Sequence, residues 1–161
     1  MKKLFIGILF LVACSSAFSQ TTMTESSSET QMMTTGSKTE ESLYKRVGGY
    51  DAICAVVDDF IVRLATDKEL GKFFGGQSTD SQMKLRQKVV DFLCNATGGP
   101  CYYTGRSMKE SHKGLGITEK DWDASVVHLV ASFDKFSVPE KEKGELLTAV
   151  SPLKAEIVEM K

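Results

Sequence analysis

Apolar residues in this chain recur at the spacing of a helix and nowhere alternate in the strict two-residue rhythm of a strand. Ile53, Val56, Val57, Phe60, Ile61 and Leu64 make one broad stripe, and Leu85, Val89, Phe92 and Ala96 make a second. Trp122, Val126, Leu129, Val130 and Phe133 make a third, and Leu146, Val150, Leu153 and Ile157 a fourth. Side chains three and four apart share a helix face, so each stripe must be covered by another element. The expectation is an all-α domain of five or six helices without a sheet.

Punctuation between the stripes agrees. Gly48-Gly49 reads as a hinge between a short first helix and the long second one. Thr97-Gly98-Gly99-Pro100 is a strong stop, and Thr118-Glu119-Lys120-Asp121 has the hydroxyl and acid of a capping sequence. Ser137-Val138-Pro139-Glu140 opens the last helix, with proline early, and Pro152 is expected to kink it. Between the second and third stripes, a short helix over 107–113 carries His112, one of two histidines in the chain.

The start of the chain is of another kind. Met1-Lys2-Lys3 is positive, and the run from Leu4 to Ala13 is apolar but too short to cross a bilayer as a helix. It fits the hydrophobic region of an export signal over 1–19. Leu11-Val12-Ala13-Cys14 resembles a bacterial lipobox, in which Cys14 would be lipidated and anchor the protein to the envelope membrane. The alternative is simple secretion, with cleavage after Ala17-Phe18-Ser19. Residues 20–41 have almost no large apolar side chain besides methionine, too little to offset the entropy of ordering, and read as a tether. Residues 42–161 form the folded domain.

Cys54, Cys94 and Cys101 fall in that domain, an odd number, so at least one stays free or pairs between molecules. Cys94 and Cys101 are near enough in sequence to be bridged, and free thiols are the alternative. No CxxC occurs, which argues against a thiol redox or zinc site. The net charge of −1, with both signs interspersed, gives no basic surface for nucleic acid.

Several segments carry a resemblance. They are Leu43-Tyr44-Lys45-Arg46-Val47-Gly48-Gly49, Val57-Asp58-Asp59-Phe60, Phe73-Phe74, Gly98-Gly99-Pro100, Tyr103-Thr104-Gly105 and Met108-Lys109-Glu110-Ser111-His112. In this order and spacing, over about 43–158, the chain resembles the group I truncated haemoglobins. The resemblance implies a two-over-two helical sandwich enclosing haem b, with His112 as proximal iron ligand. Phe74 would stack on the porphyrin. Met108, one turn before His112, would pack on the haem edge or fill a core gap. Tyr103 would reach a propionate or lie on the surface. Leu85, Val89, Phe92 and Trp122 would line the pocket. His128 lies off its helix stripe and reads as structural. No residue is read as catalytic.

The distal side departs from the family. Ile61 stands where many members carry a tyrosine, and Val89 where a glutamine is common; Leu85 adds a third apolar side chain. A donor beside a partly negative bound ligand slows its escape, and these three offer none. Weak oxygen binding or ready autoxidation is expected, with carbon monoxide less affected. Lys88 matches the position where some members carry a second iron ligand. A deprotonated amine there would give six-coordinate iron; otherwise the lysine snorkels outward, toward a propionate.

The functional expectation is reversible binding of oxygen, nitric oxide or carbon monoxide. Nitric oxide dioxygenase or peroxidase-like chemistry would need an external electron donor, since no flavin or nicotinamide motif is present. The alternatives are a six-coordinate electron-transfer protein and a helical interaction module without haem.

Overall fold

A computed structural model describes residues 40–160. The export signal and residues 20–39 of the tether lie outside the described residues. Seven α-helices follow one another: α1 (Leu43–Arg46), α2 (Gly49–Thr66), α3 (Thr79–Ala96), α4 (Met108–His112), α5 (Glu119–Lys135), α6 (Glu140–Val150) and α7 (Lys154–Ile157). Single 3₁₀ turns, Gly71–Phe73 and Ser151–Leu153, precede α3 and α7. The described residues contain no sheet, only an isolated bridge between Thr118 and Met160.

Local chemistry sets these boundaries. Gly48 and Gly49 both take positive φ, 100° and 75°, which lets α1 and α2 meet at a sharp corner. A Cβ on Gly48 would also stand 3.0 Å from that of Ala52. Ser78 caps α3 through its hydroxyl, which accepts from the Ser81 N–H. At the other end of α3 the Thr97 hydroxyl, buried, donates to the Leu93 carbonyl at 2.7 Å. Gly99 then passes so close to Tyr44 and the Cys94 sulfur that a Cβ would lie 2.5 and 2.7 Å from them. The Tyr44 N–H donates to the Thr97 carbonyl at 2.8 Å, joining α1 to the end of α3.

Two expectations need correction. Pro139 is the N-cap of α6, in extended conformation, and Glu140 is the first helical residue. Pro152 does more than kink the last helix. With no N–H to give to the carbonyl four residues back, it ends α6 at Val150. The chain crosses a 3₁₀ turn and starts again as α7.

α2 packs against α3 and α5. Ile53, Val56, Val57, Val90, Leu93, Cys94, Leu129, Phe133, Leu146 and Val150 form most of the buried core. Burying side chains of this kind is worth about 1.5–3 kcal/mol each before entropy is subtracted. Charged groups close the seams. Asp59 of α2 accepts from Arg63 at 2.6 Å, from Ser132 at 2.9 Å and from Lys135 at 2.5 Å, tying α2 to α5. Lys135, then Arg63, hold its carboxyl well below the usual carboxylate range. Arg46 of α1 binds Glu142 at 2.6 Å and also Glu145, both on α6.

Candidate functional site

α4 is five residues long, too short to be stable on its own propensity. A reciprocal cap starts it. The Ser107 hydroxyl accepts from the Glu110 N–H at 3.2 Å, and the Glu110 carboxylate accepts from the Ser107 N–H at 3.2 Å. The Ser107 hydroxyl, followed by its N–H, keeps the Glu110 carboxyl below its ordinary range.

His112 closes the helix, half-buried. Its Nδ1 lies 2.8 Å from the Met108 carbonyl oxygen, which can only accept. Nδ1 is therefore a donor here, which leaves Nε2 as the ring nitrogen a metal could take. Metal-binding imidazoles commonly donate their second nitrogen to a carbonyl in this way, which fixes the ring. Among the described residues no three His, Cys, Asp or Glu side chains converge on a metal position. A metal at Nε2 would thus need a cofactor to supply most of its coordination, as haem does.

The apolar side chains divide into two populations. One is the buried core. The other is large, apolar and only half-buried: Phe74, Leu85, Val89, Phe92, Met108 and Trp122 all belong to it. Ile61, Val89 and Phe92 rest one side on the core; Phe74, Leu85, Met108 and Trp122 stand off it. Phe133 is the one buried phenylalanine among the described residues. Meanwhile the main packing of α4 is against α7, not against α2, α3 or α5. Half-covered phenylalanines and a tryptophan leave apolar surface that a flat apolar group can cover, as haem would. The residues present therefore fit haem.

Along α3, Leu85, Lys88, Val89 and Phe92 recur at spacings of three and four, on one face. The half-buried Lys88 extends its amine 2.7 Å to the Thr104 hydroxyl, in the loop before α4. Gln87 is engaged on the exposed side, with Tyr50 at 3.0 Å and Asp91 at 2.7 Å. Tyr103 packs edge-on against Phe92, ring centres 5.3 Å apart, and its hydroxyl donates to the Arg106 carbonyl at 2.7 Å. His128 meets Asp67 at 2.9 Å, across α5 and the end of α2.

Cys94 and Cys101 are joined as a disulfide, closing the turn between α3 and the loop before α4. Asn95 adds a bond to the Cys101 carbonyl at 3.0 Å. Cys54 is free. Sequence reasoning missed two groups around α4. The Ser107–Glu110 cap has a legible pattern, a hydroxyl followed three residues later by an acid. The other, Glu159, has no local pattern. Its carboxylate accepts from the N–H groups of Gly114 and Gly116, both at 2.7 Å.

The profile of the bacterial-like globin family matches residues 42–159. The Group 1 truncated hemoglobin GlbN of Mycolicibacterium paratuberculosis is 39% identical over 116 residues, covering 72% of this chain and 83% of that protein. The corresponding protein of Nostoc commune is 35% identical over 117 residues, 73% of this chain and 97% of its own. Among solved structures, truncated hemoglobin from Tetrahymena pyriformis in the Fe(III) form superposes with a TM-score of 0.67 at 26% identity. It covers 73% of this chain and 98% of that one. THB1 of Chlamydomonas reinhardtii superposes with a TM-score of 0.62 at 30% identity, covering 73% and 97%.

Proposed function

The chain belongs to the bacterial-like globin family as a group I truncated haemoglobin that binds haem b, and from that premise we propose that it binds diatomic gases reversibly and holds oxygen weakly. When bound, haem supplies an iron centre with a position open to a gas. The chain supplies the rest. The observation that carries the reading is the His112 ring: Nδ1 meets the Met108 carbonyl, which leaves Nε2 as the nitrogen for a metal. Phe74, Phe92, Met108 and Trp122 cover the apolar porphyrin and exclude water, and Tyr103 backs Phe92 from the loop.

Distal selectivity follows from where the donors are engaged. Ile61, Leu85 and Val89 have no hydrogen to give, Gln87 is spent on Tyr50 and Asp91, and the Lys88 amine is turned to Thr104. A ligand that gains partial negative charge on binding is therefore retained less well than one that stays nearly neutral. Carbon monoxide is held better, relative to oxygen, than in a pocket with a tyrosine. Any oxidative turnover, such as dioxygenation of nitric oxide, draws electrons from a separate donor.

The chain is exported and tethered through Cys14 in this reading. The Cys94–Cys101 disulfide supports export, because such bonds persist in oxidising compartments.

A second reading rests on Lys88. It is half-buried on the face of α3 that carries Leu85 and Val89, so release from Thr104 would free an amine for the iron. The protein would then be six-coordinate and suited to electron transfer.

The deciding experiment is the absorption spectrum of the haemin-reconstituted chain, reduced under argon and then exposed to each gas. A Soret band, one broad visible band on reduction, firm carbon monoxide binding and fast oxygen loss are expected. Sharp, split visible bands that Lys88→Ala converts to a broad one would install the second reading. No Soret band would end both.

A further inference from the structure

The segment after α7 turns back along the exit of α4. Glu159 and Met160 both donate their N–H groups to the Ile117 carbonyl, at 2.9 and 3.2 Å, and Met160 pairs with Thr118. Glu159 then places one carboxylate oxygen on the Gly114 N–H and the other on the Gly116 N–H, each at 2.7 Å. Both glycines have positive φ, 82° and 66°, which turns their N–H groups to one side. These are charge-assisted bonds, about twice as strong as neutral ones.

We propose that Glu159 is a positioning residue for His112, clamping the exit of α4 so that Nε2 is presented to iron in one orientation. The inference rests on the haem reading above. The Nδ1 bond to Met108 is internal to α4, so it fixes the ring to the helix but not the helix to the fold. That second task falls to whatever holds the ends of α4. The Ser107–Glu110 cap lies at the entry and is itself local, spanning three residues. Among the described residues α7 is the element that packs most on α4, and the Glu159 side chain joins the segment after α7 to the turn after His112. Only Lys113 separates His112 from Gly114, so a shift of that turn passes directly to the imidazole.

The test compares the full chain with Glu159→Ala and Glu159→Gln, using Glu156→Ala on α7 as the control. Three readouts separate positioning from simple stabilisation. They are the iron–histidine stretching band of the reduced haem protein by resonance Raman, the rate of haem loss to an acceptor, and amide exchange at Gly114 and Gly116 in the haem-free chain.

In wild type a narrow stretching band and slow exchange at both glycines are expected. Glu159→Ala should shift and broaden the band and speed haem loss by about tenfold, the scale of a lost partner behind a metal-bound histidine. Glu159→Gln, which keeps one acceptor oxygen, should fall between, and Glu156→Ala should match wild type. If Glu159→Ala speeds exchange at the glycines but leaves band and haem loss unchanged, Glu159 only ties a loop and the proposal fails. Fast exchange at both glycines in wild type overturns it as well. A wild-type chain that takes up no haem ends the reading of the site, whatever exchange at the glycines shows.

Discussion

On the proposed reading α4 supplies the proximal side of the site and Ile61, Leu85 and Val89 the distal side, and the two are held by opposite means. On the proximal side a five-residue helix and its flanks are fixed by hydrogen bonds between named partners. Ser107 pairs with Glu110, His112 with Met108, and Gly114 and Gly116 with Glu159. On the distal side Ile61, Leu85 and Val89 are held by packing on two eighteen-residue helices. Directional bonds give the first its accuracy and make it brittle, since losing one partner strands the other. Packing gives the second tolerance, since an added polar atom near the slot needs only a partner in the bound ligand. On that reading ligation chemistry belongs to α4, and gas selectivity to a few replaceable side chains.

The sharpest way to break the comparison is to remove the group on which the proximal bonds converge. His112→Ala should lower haem affinity by more than about 100-fold, since changing even the partner of a metal-bound histidine typically costs 10- to 100-fold. Haem titration followed at the Soret band measures this. Retained affinity would mean that packing alone holds the cofactor. Next in size is a gain on the distal side. Ile61→Tyr should slow oxygen dissociation by about tenfold or more, the worth of one hydrogen bond to a partly charged acceptor. Stopped-flow dissociation checks it, and carbon monoxide release should change far less. If both gases respond equally, the tyrosine acts by blocking the slot.

How much of this was legible in the sequence follows the same division. Stripes such as Ile53–Leu64 and Leu85–Ala96 have helical period, so the long helices could be read directly, whereas distal roles for Ile61, Leu85 and Val89 come only from the resemblance. His112 was legible because a Gly-rich exit follows it and the flanking segments resemble a family. The Ser107–Glu110 cap had a pattern and went unread. Glu159 had none, because its partners are 43 and 45 residues away and are backbone groups, which carry no signature in side-chain identity. The cysteine pairing stayed open for a similar reason. Seven residues of separation permit a bridge, but the turn at Thr97–Pro100 decides whether the sulfurs meet.

That bridge joins the two sides, because it fastens the end of α3 to the loop that leads into α4. Cys101→Ser should cost about 2–3 kcal/mol by the loop-closure argument, visible as a lower Tm under non-reducing conditions. The effect should be larger on haem retention than on the oxygen rate, since α3 is anchored by buried core residues and the loop carries none. Equal effects on both would show that the distal wall also leans on the disulfide.

The smallest expected effect is a control placed away from both sides. Asp67 follows α2, accepts N–H groups from Leu70 at 2.9 Å and Glu69 at 2.8 Å, and meets His128 at 2.9 Å. The Leu70 N–H, followed by His128, holds its carboxyl down to about 2, from an ordinary value of 3.8. A carboxyl depressed in the folded state contributes stability above its unfolded value and loses it as pH falls through the folded one. The Asp67 contribution should therefore be complete at neutral pH and fade between about 3.8 and about 2. Asp67→Asn should lower Tm slightly at neutral pH, and the two proteins should converge only as pH falls to about 2. Its Soret band, oxygen rate and iron–histidine stretch should match wild type, because Asp67 and His128 bond to each other rather than to α4 or to the distal wall. A change in any of those three would mean that the α2–α5 junction reaches the site, and the proximal and distal sides could no longer be treated as separately held.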